Sequence, residues 1–587
     1  MPEKDPTCIG KVRHVLGATV TVALDNDLAG IAPIYKGHLQ PIGQIGSLVR
    51  IPQGIIDLIG SVSLVGIAEL SGAPAPSDSV QRDERWLQVQ LLGEIDRATG
   101  KFNRGVGSYP GLDDSVHFAT PQHLRAIFPE ASESHIRIGA LAAAEEIPVC
   151  LDAAKLVTRH AAIVGSTGSG KTSAVASIIQ NFVRGGWTAA NIVVIDPHGE
   201  YADALGEHAS VRSVLGSGEN QLRVPYWALP HLDILMVFVG STGTPTFHRR
   251  FAELVTLARR EFVTQAQWLM LDPSAVTADT PVPFDIRPVW HTLDYENRET
   301  RTVKIEASTA CVTNTGDAQN LQSATFQQYS PTNTAPYKSP NYDAFGNMPN
   351  LLRLGLLKPE LQCFQSAQGT ATGPDPLVQV IQDWLGGASP VSVLDFSGVP
   401  SIAADLSIGV VLNLLFEICL RSQAGGTGVG RASPVLIVLE EAHRYLGSTA
   451  SAMTQESANR IAREGRKYGI GLLLVTQRPT ELPETALAQC GTLIALRLAN
   501  QKDQGSIAAA LPDTVTGLAA VLPSLRTGEA IISGEAIVLP VRAILTMPRP
   551  KPHSEDPSLK PWREEANAPD LASSLERWRG TYGGSNV

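Results

Sequence analysis

Apolar positions change their rhythm three times along the chain. From Cys8 to about Thr120 they fall in β-branched runs, CIGKVRHVLGATVTVALD, GQIGSLVRIPQGIIDLIGSVSLVGIAEL and RWLQVQLLGEID, broken at short intervals by Gly, Pro and Asp. Such spacing predicts a small closed β-barrel over residues 1–120, with SGAPAPSDS as a loop between two strands. Residues 121–150 read as a connector. Short apolar strands then alternate with helical periods, first HAAIVGSTGSGKTSAVASII (His160 to Ile179) and then NIVVID, giving the first part of an α/β core over 151–229. Between 230 and 390 this rhythm stops. FHRRFAELVTLARREFV and DPLVQVIQDWL have helical spacing around a long polar part, 281–350, so the region is expected to be an inserted, mainly helical subdomain with a mobile polar segment.

The alternation resumes over 391–547. VSVLDFS, a helix running through Leu420, a loop at GGTGVG, and the apolar strand of SPVLIVLEEAHRYL come in turn. They are followed by a helix from Ser457 to Tyr468 and the strands GIGLLLVTQ, GTLIALRL and EAIISGEAIVL. A mostly parallel sheet with helices on both faces is the expected result. The tail, 548–587, has prolines and charges without a period, which suits an arm docked on a neighbour or disorder.

Composition narrows the class. A chain of 587 residues with 43% hydrophobic and 18% charged residues is an ordinary globular one, too long for a single core. The most apolar stretch, Ile408 to Leu420, is short for a bilayer and is interrupted by Asn413 and Glu417, so a buried core helix is expected and no membrane partner. The start, MPEKDPTC, does not read as a signal peptide. Six scattered cysteines without a C-x-x-C pair suit neither a disulfide framework nor a zinc site, and point to a reducing cytoplasm. A net charge of −10 argues against a generic DNA-coating surface but leaves room for basic loops facing a pore.

The chemistry is centred on the turn after the first core strand. Gly165, Ser166, Thr167, Gly168, Ser169, Gly170, Lys171, Thr172 and Ser173 fit G-x-x-x-x-G-K-[ST] between a strand and a helix. Glycines let successive N–H groups converge on one anion, and the helix dipole adds its positive end. ATP is the expected ligand, with Lys171 on the β/γ-phosphates and Thr172 on Mg²⁺. A later strand delivers Glu440 and Glu441: the first suits the metal, and the second suits orienting the attacking water. Glu200, in the Asp196-Pro197-His198-Gly199-Glu200-Tyr201 cluster at another strand end, is the competing base. That cluster either faces the phosphates or is a turn with a capping acid. Gln477 suits sensing the γ-phosphate or holding the same water, or else it simply opens a loop. An arginine from a neighbouring subunit often completes such sites. Arg466 is the first candidate and Arg159 the second, whereas Arg460, Arg463 and Lys467 suit a solvent-facing helix side. Arg249, Arg250, Arg259 and Arg260 in the insert suit either DNA contact or a solvated or interface face.

Taken together, RHAAIVGSTGSGKTS, VIDPHGEY, VPYWAL, VLIVLEEAHRYL, REGRKYGIGLLLVTQRP and LRTGEAIISGEA resemble the HerA ATPases of the HerA/FtsK superfamily of ring-shaped DNA motors. The resemblance spans about Cys8 to Pro548 and is weakest over the polar insert. It implies an α/β fold: a RecA-like P-loop NTPase core, an N-terminal β-barrel like that of rotary ATP synthase subunits, and the inserted subdomain. It implies Lys171 and Thr172 on phosphate and Mg²⁺, Glu441 as catalytic glutamate, Arg466 as the trans-acting finger and Arg159 near the nucleotide. Glu440 departs from the Asp usual at its position. The resemblance further implies a homo-oligomer, a hexamer, that translocates double-stranded DNA. Its implied partner is a nuclease or other effector, NurA-like or sirtuin-like, in DNA end processing or antiphage defence, docked through the barrel. A ring scaffold that assembles and gates an effector enzyme is the alternative.

Overall fold

The computed structural model describes residues 5–25, 34–35, 38–39, 44–67, 85–332, 334–365, 369–422, 428–511, 516–553, 563 and 571–578. The expected loop SGAPAPSDS and the first part of GGTGVG lie outside them. In the first domain, β1 (Cys8–Leu16), β2 (Thr19–Leu24), β3 (Leu48–Gln53), β4 (Ile56–Ile67), β5 (Arg85–Asp96) and β7 (Ser115–Phe118) form one antiparallel sheet, ordered β2-β1-β7-β3-β4-β5, with the short β6 (Phe102–Arg104) beside β5. Pairing of β2 with β5 closes it into a six-stranded barrel. Alternation fills its interior with Val12, Val20, Val22, Val49, Ile51, Leu58, Val62, Leu87 and Val89.

The core sheet has eleven strands. They are β8 (His135–Leu141), β9 (Ala144–Asp152), β10 (Ala161–Val164), β11 (Asn191–Asp196), β12 (Ala209–Ser213), β13 (Val391–Asp395), β14 (Val435–Leu439), β15 (Ile470–Thr476), β16 (Thr492–Ala495), β17 (Glu529–Gly534) and β18 (Val541–Leu545). Their order is β9-β8-β18-β17-β16-β10-β15-β14-β11-β13-β12. The run from β16 to β12 is parallel, and the other four strands are antiparallel. Continuous apolar strands follow from covering both faces. Val435, Ile437 and Leu439 of β14 join one hydrophobic cluster, and Leu436 and Val438 join the other. Helix α3 (Lys171–Arg184) packs on one face; α9 (Ser401–Arg421) and α11 (Ala452–Tyr468) pack on the other. Helix α9 has 21 residues and is apolar enough to cross a membrane, but two-thirds of its apolar window is buried in this core. The fold is a RecA-like P-loop core with an N-terminal barrel and a mainly helical insertion.

Two expectations need correction. Residues 121–150 are more than a connector: after α1 (Pro121–Ile127), β8 and β9 are edge strands of the core sheet, paired to it through β18. EAIISGEAIVL is not one parallel strand, because its first half, β17, runs antiparallel to β16 and turns back into β18. The first part of the tail, 549–553, lies along its own chain: Gln180 of α3 accepts from the Arg549 N–H and donates to the Pro550 carbonyl, and the His553 N–H donates to the Glu200 carbonyl; beyond it, all but 563 and 571–578 lies outside the described residues.

After the short helix α2 (Ala153–Thr158) and the core strands, the insertion contains α4 (His231–Phe238), α5 (Pro245–Gln265), α6 (Ile286–Arg298), α7 (Met348–Leu356) and α8 (Pro376–Trp384). Its polar part is built rather than structureless: α6 is followed by two small two-stranded ladders. Side chains anchor these loops where periodicity gives no signal, as when Arg353 donates to the Leu321 carbonyl and Thr300 to the Gln327 carbonyl. Arg259 is no DNA contact. It is fully buried and donates to the carbonyls of Ala278, Trp227 and Leu229 at 2.6–2.9 Å, beneath the Phe284 ring. Arg250 is taken up by Glu296 and Glu253. An Arg259→Ala variant strands three buried acceptors, and the fork geometry is one that Lys does not reproduce. Thermal unfolding of this variant is expected to show a loss of roughly 3 kcal/mol or more, with Arg259→Lys recovering only part of it.

Candidate nucleotide site

The turn after β10 is shaped by its glycines. Gly168 and Gly170 have φ of 73° and 100°, a region that side chains resist, and a Cβ on Gly165 would sit 2.5 Å from Ser169 Oγ. Neighbouring strand ends hold the turn open: Ser166 N–H donates to the Arg497 carbonyl (2.9 Å), and Ser166 Oγ accepts from the Ala499 N–H (3.1 Å). Lys171 Nζ rests on the Ser166 carbonyl at 3.3 Å, and Ser169 Oγ is buried without a hydrogen-bond partner. Thr172 and Ser173 follow in the first turn of α3.

Parallel pairing brings the ends of β15 and β14 to the same edge. Gln477, one residue past β15, accepts from the Thr167 hydroxyl at 2.8 Å. Glu440 follows β14, is 7% exposed, and accepts a hydrogen bond from the Tyr201 hydroxyl. Burial outweighs that bond and pushes the Glu440 carboxyl up to about 8. Glu441 takes a left-handed backbone (φ 52°), fixed by the Ala442 N–H on the Val475 carbonyl and the Arg444 N–H on the Glu441 carbonyl. Its Oε2 is buried, makes no hydrogen bond among the described residues, and lies at ion-pair distance, 3.2 Å, from Nδ1 of His443 in α10 (His443–Leu446). Burial lowers the Lys171 ammonium, and Glu441, Glu440 and Glu200 pull it back up in that order. Three carboxyl groups therefore share one lysine's field, an excess of negative charge that suits a cation. Asp196 is a turn cap, accepting from the N–H groups of His198, Gly199 and Tyr201.

The two candidate arginines sit elsewhere. Arg159 precedes β10 and pairs with Glu535; Arg466, exposed in the last turn of α11, precedes β15. Both therefore lie at the amino edge of the sheet. Between them His160 (φ 51°) accepts from the Leu472 N–H, and its imidazole is held at about 4 by burial, with Arg466 adding to the shift.

The structure adds residues that motif reading left without a role. Tyr201 and His443 stand inside DPHGEY and EEAHRYL, so their positions were visible. The Arg526–Gly528 turn stands inside LRTGEAIISGEA, but only the fold lays it on the phosphate loop: the Gly528 N–H donates to the Ser169 carbonyl and the Thr527 hydroxyl to that of Gly168.

The profile of the family described as the central domain of helicase HerA matches residues 136–415, and that of the HerA-like C-terminal domain matches 423–549. Among curated proteins, the chain is similar to the DNA double-strand break repair helicases HerA of Sulfolobus acidocaldarius (25% identical, 84% of each chain) and Pyrococcus furiosus (24%, 78% of this chain and 77% of that one). Similar solved structures include VirB4 of Thermoanaerobacter pseudethanolicus (14% identical, TM-score 0.44, 71% of this chain and 97% of that one). Another is the plasmid coupling protein TrwB with an ATP analogue (12%, TM-score 0.41, 73% and 92%).

The Glu440 carboxyl generates a pH prediction. Its folded value near 8 lies above its ordinary 4.5, so the folded state binds a proton that the unfolded chain has released. Stability of the ligand-free protein is thus greatest below about 4.5 with respect to this group and declines as pH rises toward 8, by a few kcal/mol at full ionisation. In Glu440→Gln, Tyr201 still has an acceptor and the ionisation is gone. Denaturant titrations are expected to show the variant gaining on the wild type steadily between pH 5 and 8; a constant difference across that range would show that Glu440 is not the group responsible.

Proposed function

The chain belongs to the HerA helicase family, and from that premise we propose that it is an ATP-driven motor acting on double-stranded DNA as a hexameric ring. The observation that carries this reading is the division of the candidate catalytic groups between two edges of one sheet. Phosphate loop, Glu440, Glu441 and Gln477 occupy the carboxyl edge, while Arg159 and Arg466 occupy the amino edge. Seven residues of β15 separate the two edges, about 20 Å at roughly 3.3 Å per residue. A single copy does not deliver Arg466 to its own nucleotide, but a neighbour in a ring does.

ATP's β- and γ-phosphates sit against the loop N–H groups and Lys171. Glu441 Oε2, buried and free of any hydrogen bond among the described residues, accepts the proton of the attacking water, and Gln477 beside Thr167 holds that water or reads the γ-phosphate. The residues fit Mg²⁺: Glu440 is a carboxyl raised by burial and by the neighbouring carboxylates, which a bound cation would offset, and it would hold the ion with the Thr172 hydroxyl. When bound, the ion neutralises charge on the phosphate oxygens. Glu440's extra methylene, compared with Asp, matches its reach to Tyr201.

An effector, a nuclease or sirtuin-like enzyme, docks on the barrel. Strand directions place the hairpin tips at Gly17 and Gly54 and the loop 105–114 at one end of the barrel, opposite the end where Gly46 meets Leu518 of the core. That free end exposes Leu16, Ile55, Tyr109 and Leu112, four apolar side chains of the kind that partners cover. Processing of DNA ends or antiphage defence is the setting that such a pair serves.

Two assays test the motor reading. Hydrolysis is expected to rise with duplex DNA and to lose that stimulation as salt increases through roughly 50–200 mM, where phosphate contacts give way to counterions. Arg466→Ala and Lys171→Ala proteins are each expected to be inactive, with Arg466→Ala still binding ATP, and mixing the two is expected to restore part of the turnover. Mixed rings that stay silent, or an Arg466→Ala protein that no longer binds ATP, would remove Arg466 from the neighbour's site.

A further inference from the structure

Contacts continue beyond Glu441 into a buried chain that no catalytic role yet covers. His443 is 8% exposed, and its Nδ1 lies 3.1 Å from Thr476 Oγ1 as well as 3.2 Å from Glu441 Oε2. Thr476 is a fixed post: it is fully buried at the end of β15, and its Oγ1 also accepts from the Arg478 N–H at 3.0 Å. The next residue is Gln477, which holds the Thr167 hydroxyl of the phosphate loop. The carboxylate fixes the imidazole tautomer. With the proton on Nδ1, both oxygens face a donor; with the proton on Nε2, a ring lone pair would face a carboxylate lone pair.

Glu441 needs such a partner. Its left-handed backbone is pinned, but a glutamate side chain retains rotamer freedom that costs roughly 1.5–2 kcal/mol to freeze. Among the described residues Oε2 makes no hydrogen bond, and the one cationic or N–H group recorded near it is Nδ1 of His443, at 3.2 Å. The geometry points to His443 as the positioning residue of Glu441: its Nδ1–H, steadied by Thr476, holds the carboxylate at the far end of a chain Thr167–Gln477–Thr476–His443–Glu441. The phosphate loop and the water-activating oxygen are thereby linked within one subunit, through these side chains and the Thr476–Gln477 peptide.

This inference rests on Glu441 being the base, so Glu441→Gln accompanies the His443 variants as a control. His443→Ala is expected to lower kcat roughly 10²-fold, the effect of misplacing a reacting group by about 1 Å, while KM and the affinity for a non-hydrolysable ATP analogue stay within about twofold. His443→Asn, whose amide N–H occupies the Nδ1 position, is expected to recover most of kcat; a purely space-filling role would not give that rescue. If His443→Ala fails to fold, the near-isosteric Thr476→Val removes the post and is expected to show the same loss in kcat. An inactive Glu441→Gln beside a fully active His443→Ala, or an Asn variant as slow as the Ala variant, overturns the assignment of His443 alone. A Glu441→Gln protein with wild-type turnover overturns the base, and this inference with it.

Discussion

Parallel pairing of β10, β15 and β14 is the constraint on which the rest of the molecule depends. Register matches Val164 with Thr476 and Leu439 with Leu474, so the strands end together and their following residues open onto one crevice. The same pairing sends every strand's beginning to the opposite edge. Groups that bind phosphate and groups that precede a strand are thus kept apart by the length of the strands, and no loop rearrangement brings them together within one copy. Under the proposed role of Arg466, an active assembly follows from the sheet's polarity, because a site finished by an arginine before β15 needs a second copy to supply it.

β15 also sets a spacing. It lies between the strand that carries the phosphate loop and the strand that carries Glu440 and Glu441, so the carboxylates stand about two strand separations, roughly 10 Å, from the loop's own strand. That gap leaves room for a phosphate and a water. A carboxylate on the adjacent strand would press against the γ-phosphate, and one a strand further away would lose it. Gln477, on the intervening strand, then stands between them, and its bond to Thr167 places it there even without ligand.

Much of this was legible in the sequence because buried parallel strands are continuous apolar runs and the loop after each is punctuated by Gly, Pro or charge. VLIVLEE and GLLLVTQ reveal both a strand and its end. The same logic failed wherever tertiary partners, not local pattern, decide the structure. β8 and β9 carry weak alternation and read as a connector, since their place in the sheet comes from β18, some four hundred residues later. The polar insert has no period to read, because its loops are held by side chains and carbonyls brought together only by folding. Arg259 looked like a surface charge because a helix face gives no warning that three carbonyls of other segments will converge on it. The contact of the Arg526–Gly528 turn with the phosphate loop was hidden for the same reason.

Burial around the loop also explains why this site is poised and not merely assembled. Lys171 is depressed by desolvation and Glu440 is raised by it, so in the ligand-free protein both lean toward their neutral forms, the inexpensive state for groups withdrawn from water. Glu441 differs from its neighbour in that its carboxylate has a histidine N–H at hand and a backbone held in a left-handed turn. Adjacent glutamates with similar chemistry thus meet opposite surroundings: one is packed beneath Tyr201 and the other is turned out by its own backbone toward the crevice. The left-handed backbone at residue 441 is what keeps their carboxyls on one side. In an extended conformation, residues 440 and 441 would project to opposite faces of the sheet, whereas the left-handed kink after β14 keeps both carboxyls within the field of Lys171.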